Sequence, residues 1–217
     1  MSNDLSGDFA THIPRLTLPL SIEKARALKL GELYVLDGEV TVTAGFSTHQ
    51  RMVKFLKEGH DLPLDMKGGA FFHMGSCCHE TDAGWLPDYV NPTTSTRFNA
   101  FMPTIIRGLG LTAVGGKGGL DEACVAVLRE TGCVYFSMPG GASPLLSRGA
   151  EKKLATGWDD LIEQFRLSRF RLNGFGPVTV AIDAHGNSMY RNLKDQAVSR
   201  MPAILKELEQ RRTDRAG

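Results

Sequence analysis

Between Val90 and Leu120 the chain carries hydroxyls, an arginine and a lysine with a spacing that could hold one small anion. Pro92 is followed by Thr93, Thr94, Ser95 and Thr96, and Arg97 comes next. This run reads as the start of a helix, where unpaired backbone N–H groups and the positive dipole end suit a carboxylate or phosphate. Further on, Lys117 is flanked by Gly115-Gly116 and Gly118-Gly119, a backbone able to approach a ligand closely. Phe98, Phe101, Ile105 and Leu109 lie between them at helical spacing, which predicts one helix joining the two loops. The plainer alternative is a capped helix and a tight turn, with both cations in solvent.

Other chemistry-bearing residues are weaker. His49 follows a glycine-containing turn and falls in the first turn of a predicted helix; a lone histidine there is more often a structural hydrogen-bonder than a catalyst. His185, in a turn between strands, reads the same way. His73, Cys77, Cys78 and His79 offer metal-ligating atoms, but adjacent cysteines lack the gap that zinc sites use. Lys117 precedes a glycine rather than Ser or Thr, which excludes a P-loop, and the segment is not a GxGxxG turn either. Cys124 and Cys133 sit in apolar surroundings and read as core. Arg166, Arg169 and Arg171 read as a solvated face.

The elements that must position these residues alternate. A strand is expected over Ile13–Leu20 and a helix over Ile22–Leu28, capped by Ser21. A hairpin is expected over Glu32–Val42 with Asp37-Gly38 as its turn, and a helix from about Ser47 to Lys57. Ala70–Met74 reads as a buried strand running into a Gly75–His79 loop, and Trp85–Asn91 as a connector. A helix over Leu120–Glu130, a strand from Cys133 and a glycine-rich turn at Pro139–Ser143 follow. Leu161–Leu172 reads as mixed helix and strand, Val178–Asp183 as a strand, and Lys194–Arg212 as a charged helix with Ala197, Met201, Ile204, Leu205 and Leu208 apolar. Strands alternating with helices indicate an α/β fold.

At 217 residues, 42% hydrophobic and 23% charged, the chain can bury a sizeable core. Its net charge of +1 offers nothing for nucleic acid or an anionic membrane surface. No run reaches the length of a membrane span, and Met1–Ala10 lacks the apolar core of a secretory signal. Four cysteines in a chain of this length fit a reducing cytoplasm better than a disulfide scaffold. The organisation expected is a flexible lead-in over 1–12, a main domain over 13–192, and a charged helix and tail over 193–217.

Taken in order, Leu18-Pro19-Leu20-Ser21, Leu30-Gly31, Pro92–Arg97, Gly116-Lys117-Gly118, Pro139–Ala142, Gly176-Pro177-Val178 and Asp183–Asn187 form a recognisable set. The chain resembles the C-terminal (β) part of class I, iron–sulfur-dependent fumarate hydratases, and in particular the separate β subunit of the L(+)-tartrate dehydratase type. The likeness runs from Leu18 to Tyr190. It implies a swivelling β/β/α domain, with mixed sheets flanked by helices, that supplies half of an active site. It also implies a hydro-lyase active only with a partner α subunit, which holds a [4Fe-4S] cluster, in an α2β2-type heteromer. The substrate would be a small hydroxy di- or tricarboxylate. Carried over by position, Thr93 is the threonine beside the reacting C–H, and Thr94, Arg97 and Lys117 bind carboxylates. His49 matches the histidine of the family's early motif and is taken with Thr93 as catalytic.

One position departs from the family. An Arg-Asp pair precedes that histidine in the family, and Gly45-Phe46 stands here. Losing a guanidinium that grips a carboxylate in two places and gaining a ring is not conservative. It points to a substrate with an apolar or larger end, and an arginine restored at position 45 is expected to shift preference towards unsubstituted four-carbon diacids. The competing readings are a non-catalytic anion-binding module that kept the fold, and a stand-alone zinc enzyme built on His73 and the Cys77-Cys78-His79 segment.

Overall fold

A computed structural model describes residues 13–82 and 84–216. The lead-in expected over 1–12 lies outside the described residues. The elements run β1 (Arg15–Leu18), α1 (Ile22–Ala27), β2 (Leu33–Thr43), α2 (Phe46–Glu58), β3 (Ala70–Thr81) and β4 (Gly84–Pro92). A 3-10 turn (Ser95–Phe98), α3 (Met102–Leu109), β5 (Ala113–Gly116), α4 (Glu122–Thr131) and β6 (Val134–Ser137) follow. The chain finishes with α5 (Ser143–Ser147), β7 (Ala150–Gly157), β8 (Leu167–Ile182) and α6 (Met189–Ala216). The architecture is mixed α/β: an eight-stranded mixed sheet in the order β1-β2-β3-β4-β7-β8-β6-β5, flanked by helices.

Additional β2–β8 and β3–β5 pairings close this sheet on itself. Strands β2, β3, β5 and β6 run parallel, and β8 closes against β2 and β6 antiparallel. The outer half of β3 leaves this group and pairs antiparallel with β4. Alternation along each strand then divides the interior in two. Phe72, Phe136, Phe170 and Phe175 share the inner cluster. Phe71, Val114, Tyr135 and Ile182 face Met52 of α2, Ile105 of α3 and Leu128 of α4. No helix among the described residues is long and apolar enough to cross a membrane.

Several local expectations give way to tertiary pairing. The hairpin expected at Asp37-Gly38 does not form, and β2 runs straight through it. Strands β1 and β8 flank β2 on both sides, and the register shifts between Leu36 and Gly38. Gly38 takes φ +90°, and a Cβ there would run into the carbonyl oxygen of Leu18. The Asp37 carboxylate accepts from Arg15 Nε at 2.7 Å and from the Gly174 N–H at 2.8 Å. The glycine serves a bulge rather than a turn.

The Gly75–His79 loop and the Trp85–Asn91 connector are also strands, the outer part of β3 paired with nearly the whole of β4. The single helix expected from Phe98 to Leu109 is two elements, because Pro103 tolerates only the first turn of a helix. The chain turns once at Ser95–Phe98 and restarts at Met102.

Candidate functional site

The parallel strands β2, β5 and β6 end at Thr43, Gly116 and Ser137, and the segments leaving them carry the chemistry-bearing side chains. Carboxyl ends of parallel strands are where open α/β sheets bind ligands. Here the backbone assembles the edge. Thr93 N–H donates to His73 C=O at 2.8 Å, Lys117 N–H to Thr93 C=O at 3.1 Å, and Ser95 N–H to Lys117 C=O at 2.9 Å. Thr94 and Lys117 thus form a parallel β-bridge. Gly116 permits it: a Cβ there would run into Ser95 Oγ and lie 3.2 Å from the Thr93 carbonyl oxygen. The Pro139–Ala142 turn closes the other side, where a Cβ on Gly140 would lie 3.7 Å from Lys117 Cδ.

The structure therefore brings Thr93, Thr94 and Lys117 together, all half-buried. Arg97 is exposed, and its Nη1 lies 3.5 Å from Thr93 Oγ1. The helix-start argument needs correction. The turn is a four-residue 3-10 turn whose cap residue, Thr94, makes no side-chain capping bond. So short a turn has little dipole, and the cationic side chains carry the charge complementarity instead. Ser95 does not join the other hydroxyls; it is buried behind them.

That buried layer is the part sequence reasoning missed. His73 Nδ1 and Ser95 Oγ are 2.8 Å apart, Ser95 Oγ and Tyr135 OH are 2.8 Å apart, and Tyr135 OH donates to Gly118 C=O at 3.2 Å. The three side chains form one buried hydrogen-bonded chain, and at its far end His73 Nε2 lies 3.3 Å from Met102 Sδ. Burial pushes His73 well below its usual value and Tyr135 upward, so the chain is neutral. In the sequence Ser95 reads as one of the anion-site hydroxyls and His73 as a metal-ligating residue, while Tyr135 carries no signal.

His49 lies against this layer. Its ring stacks on Phe98 with centroids 3.9 Å apart and lies 5.2 Å from the His73 ring. Nδ1 donates to the Gly45 carbonyl at 2.6 Å, and Nε2 is buried without a partner. Burial, reinforced by the charge of Arg97, lowers its pKa to about 4. It is a neutral imidazole, fully enclosed in this conformation.

At Gly45-Phe46 the structure changes the expected consequence of restoring an arginine. A Cβ on Gly45 would run into Thr48 Oγ1 and lie 2.8 Å from Phe165 Cβ. The Glu163–Phe165 turn occupies that space, held by Ala44 N–H to Gln164 C=O at 2.9 Å and by Thr43 Oγ1 to Phe165 C=O at 3.0 Å. Phe46 is 44% exposed and meets Phe101 edge-on at 5.0 Å. An exposed aromatic surface therefore stands beside the His49 stack.

The remaining candidates disperse. His79 is exposed and faces Asp88 at 2.8 Å, while His73 is committed to Ser95. Among the described residues no group of three or more His, Cys, Asp or Glu side chains could hold a metal ion. Cys77 and Cys78 neighbour each other along β3; burial pushes the Cys78 thiol up to about 12 and raises Cys124 and Cys133 as well. Among the described residues no three cysteines converge, so they do not form the three-thiolate cradle that an iron–sulfur cluster needs. His185 is structural, its Nε2 bonded to Arg26 C=O at 2.9 Å. The arginine run is only partly a solvated face: Arg166 and Arg169 are half-buried and donate to the Leu161 C=O at 2.8 Å and to the Asp65 C=O, while Arg171 is exposed and pairs with Glu39 at 3.2 Å.

Comparison with known proteins agrees with this picture. The chain is 30% identical over 198 residues to the L(+)-tartrate dehydratase subunit beta of Escherichia coli (strain K12), covering 89% of this chain and 94% of that one. It is 27% identical over 187 residues to a Methanocaldococcus jannaschii protein provisionally named L(+)-tartrate dehydratase subunit beta, covering 86% and 95%. A Geobacillus stearothermophilus protein provisionally named class I fumarate hydratase is 28% identical over 200 residues, covering 90% of this chain and 37% of its own length. The model of the family described as Fumarase C-terminus matches residues 10–193, most of the folded body. This chain belongs to the Fumarase C-terminus family.

Proposed function

We propose that this chain is the β subunit of a hydro-lyase that reversibly dehydrates a small hydroxy di- or tricarboxylate. The observation that carries the reading is the Thr94–Lys117 bridge, which fixes two hydroxyls and two cations on one edge. Dehydration next to a carboxylate requires removal of a weakly acidic C–H proton. Negative charge then accumulates on that carboxylate, and fixed cations in a partly enclosed site stabilise it without reorganising. Lys117 and Arg97 take this role, and Thr94 orients a carboxylate oxygen.

Thr93, within reach of Arg97, sits at the reacting carbon. Its hydroxyl is too weak a base unaided, so it moves the proton only with a charged neighbour from a partner chain. His49 backs the site as a neutral imidazole whose Nε2 has no other engagement. The metal centre, a [4Fe-4S] cluster, belongs to an α subunit in an α2β2-type heteromer. The cytoplasm is the proposed setting, and 13–192 acts as one swivelling unit. Phe46 and Phe101 offer a substrate an apolar end in place of a guanidinium.

Anaerobic co-expression with a cysteine-bearing α subunit tests this. The assay follows hydration of fumarate and mesaconate and dehydration of malate and tartrate. Thr93→Ala and Lys117→Ala should each lower turnover about 100-fold or more. Normal turnover in either variant would overturn the site assignment. A complex that assembles, carries its cluster and turns over no diacid would favour a binding module.

A further inference from the structure

Beyond residue 193, where the family match ends, the chain continues as most of α6. The helix is rooted on the body: Tyr190 OH donates to Ser137 Oγ at 2.9 Å, and Arg191 Nε donates to Glu122 at 2.9 Å. From Asn192 to Arg212 every residue is exposed. Yet Val198, Met201, Ile204, Leu205 and Leu208 are large apolar side chains, each 47–62% exposed. A helix with no tertiary packing is marginal in water, and a run of exposed apolar groups marks a surface made to be covered.

The spacing says what kind of cover. Ala197, Met201, Ile204 and Leu208 are separated by four, three and four positions, the 3.5-residue repeat of a two-helix seam. Val198 and Leu205 flank that seam on one side, and Arg200 and Glu207 on the other. Pro202 falls off the seam, and its missing N–H leaves the Val198 carbonyl without its helical donor.

We infer that α6 pairs antiparallel with α6 of a second copy of this chain, about a twofold axis between Pro202 and Ala203. In that register Met201 lies opposite Ile204 of the second copy, and small Ala197 opposite large Leu208. Val198 lies opposite Leu205. Arg200 lies opposite Glu207 of the second copy, and the twofold makes that ion pair twice. A parallel pairing would set Arg200 against Leu205 and lose both pairs. The self-complementarity of charge and size selects a copy of the same helix over an unrelated partner. Lys194 and Arg211 meet at the ends of the seam, and Arg211 is already paired with Glu207 of its own helix at 2.6 Å.

Sedimentation velocity on the full-length chain decides this, and its readout is mass, independent of any catalytic role. The chain should self-associate as a dimer below about 100 µM. Ile204→Glu should weaken the dimer about 100-fold, and Arg200→Glu about tenfold through Glu–Glu repulsion. The charge swap Arg200→Glu/Glu207→Arg should restore affinity to within about threefold. Circular dichroism should find the helix content of the swapped chain unchanged. A chain that stays monomeric at that concentration overturns the inference. So does a dimer indifferent to Ile204→Glu, which would use another face. An Arg200→Glu defect that the swap fails to restore also overturns it, and assigns the seam to a heterologous partner.

Discussion

The carboxyl edge of the sheet and the far half of α6 break the same rule in opposite directions. At the edge, polar groups are buried: His73, Ser95, His49 and Thr48 are all inaccessible. On α6, apolar groups are exposed, Leu193 and Val198 most of all. The edge compensates internally, because nearly every buried polar atom there has a partner. The helix has no such compensation in the chain. A buried polar layer with its bonds made gives rigidity to one molecule, whereas an apolar stripe left open refers to a second.

The largest expected effect lies at the edge. Gly45→Arg should destabilise the fold by about 3 kcal/mol or more, because the new side chain must displace the Glu163–Phe165 turn. Urea unfolding would measure it. A soluble variant of unchanged stability with altered substrate preference would show instead that the turn is easily moved.

Next comes pH. Unfolded His49 takes up a proton near its ordinary value of 6.5 and the folded form only near about 4. Between those values the unfolded state binds more protons, so stability is complete above 6.5 and is lost as pH falls through the window. The loss is on the order of 3 kcal/mol at the lower end, and His73 adds in the same sense. Denaturant midpoints at pH 7 and pH 5 would reveal it; equal midpoints would mean that both imidazoles open to water.

Smaller still is Tyr135→Phe, which leaves Ser95 and the Gly118 carbonyl without their shared hydroxyl. It should cost about 1–2 kcal/mol and loosen the Lys117 loop, seen as faster amide exchange at Gly118. The smallest effect belongs to the other region. A chain ending at Asn192 loses a segment that is exposed throughout residues 193–212, so its thermal midpoint should move by less than about 2 °C at concentrations where it is monomeric. A larger shift would erase the contrast between the two regions.

What was legible in the sequence follows the same division. The α6 stripe was read from spacing alone, because no tertiary contact competes with the periodicity. The alternation of strands and helices gave the α/β class, and the ordered motifs gave the family. Asp37-Gly38 misled because its local preference is for a turn, and the two flanking strands that override it lie far away in sequence. Gly75–His79 and Trp85–Asn91 misled for a related reason: half of each strand meets neighbours that alternation cannot reveal. The nearness of the Thr93–Arg97 run to Lys117 was expected from the sequence as two neighbouring loops, but the Thr94–Lys117 β-bridge that joins them was not. The His73–Ser95–Tyr135 layer was invisible, since each member sits in an otherwise apolar or turn-like stretch and only the register between strands brings them together.

The bridge between Thr94 and Lys117 has a consequence for how such a protein can change over time. Main-chain bonds, which need glycine at 116 but no particular side chain at 93, 94 or 117, hold the two segments in place. In the proposed site, replacing what projects from them alters which molecules are accepted while leaving the frame untouched. A lineage can therefore explore new substrates by single codon changes at this rim, with little risk to the architecture beneath.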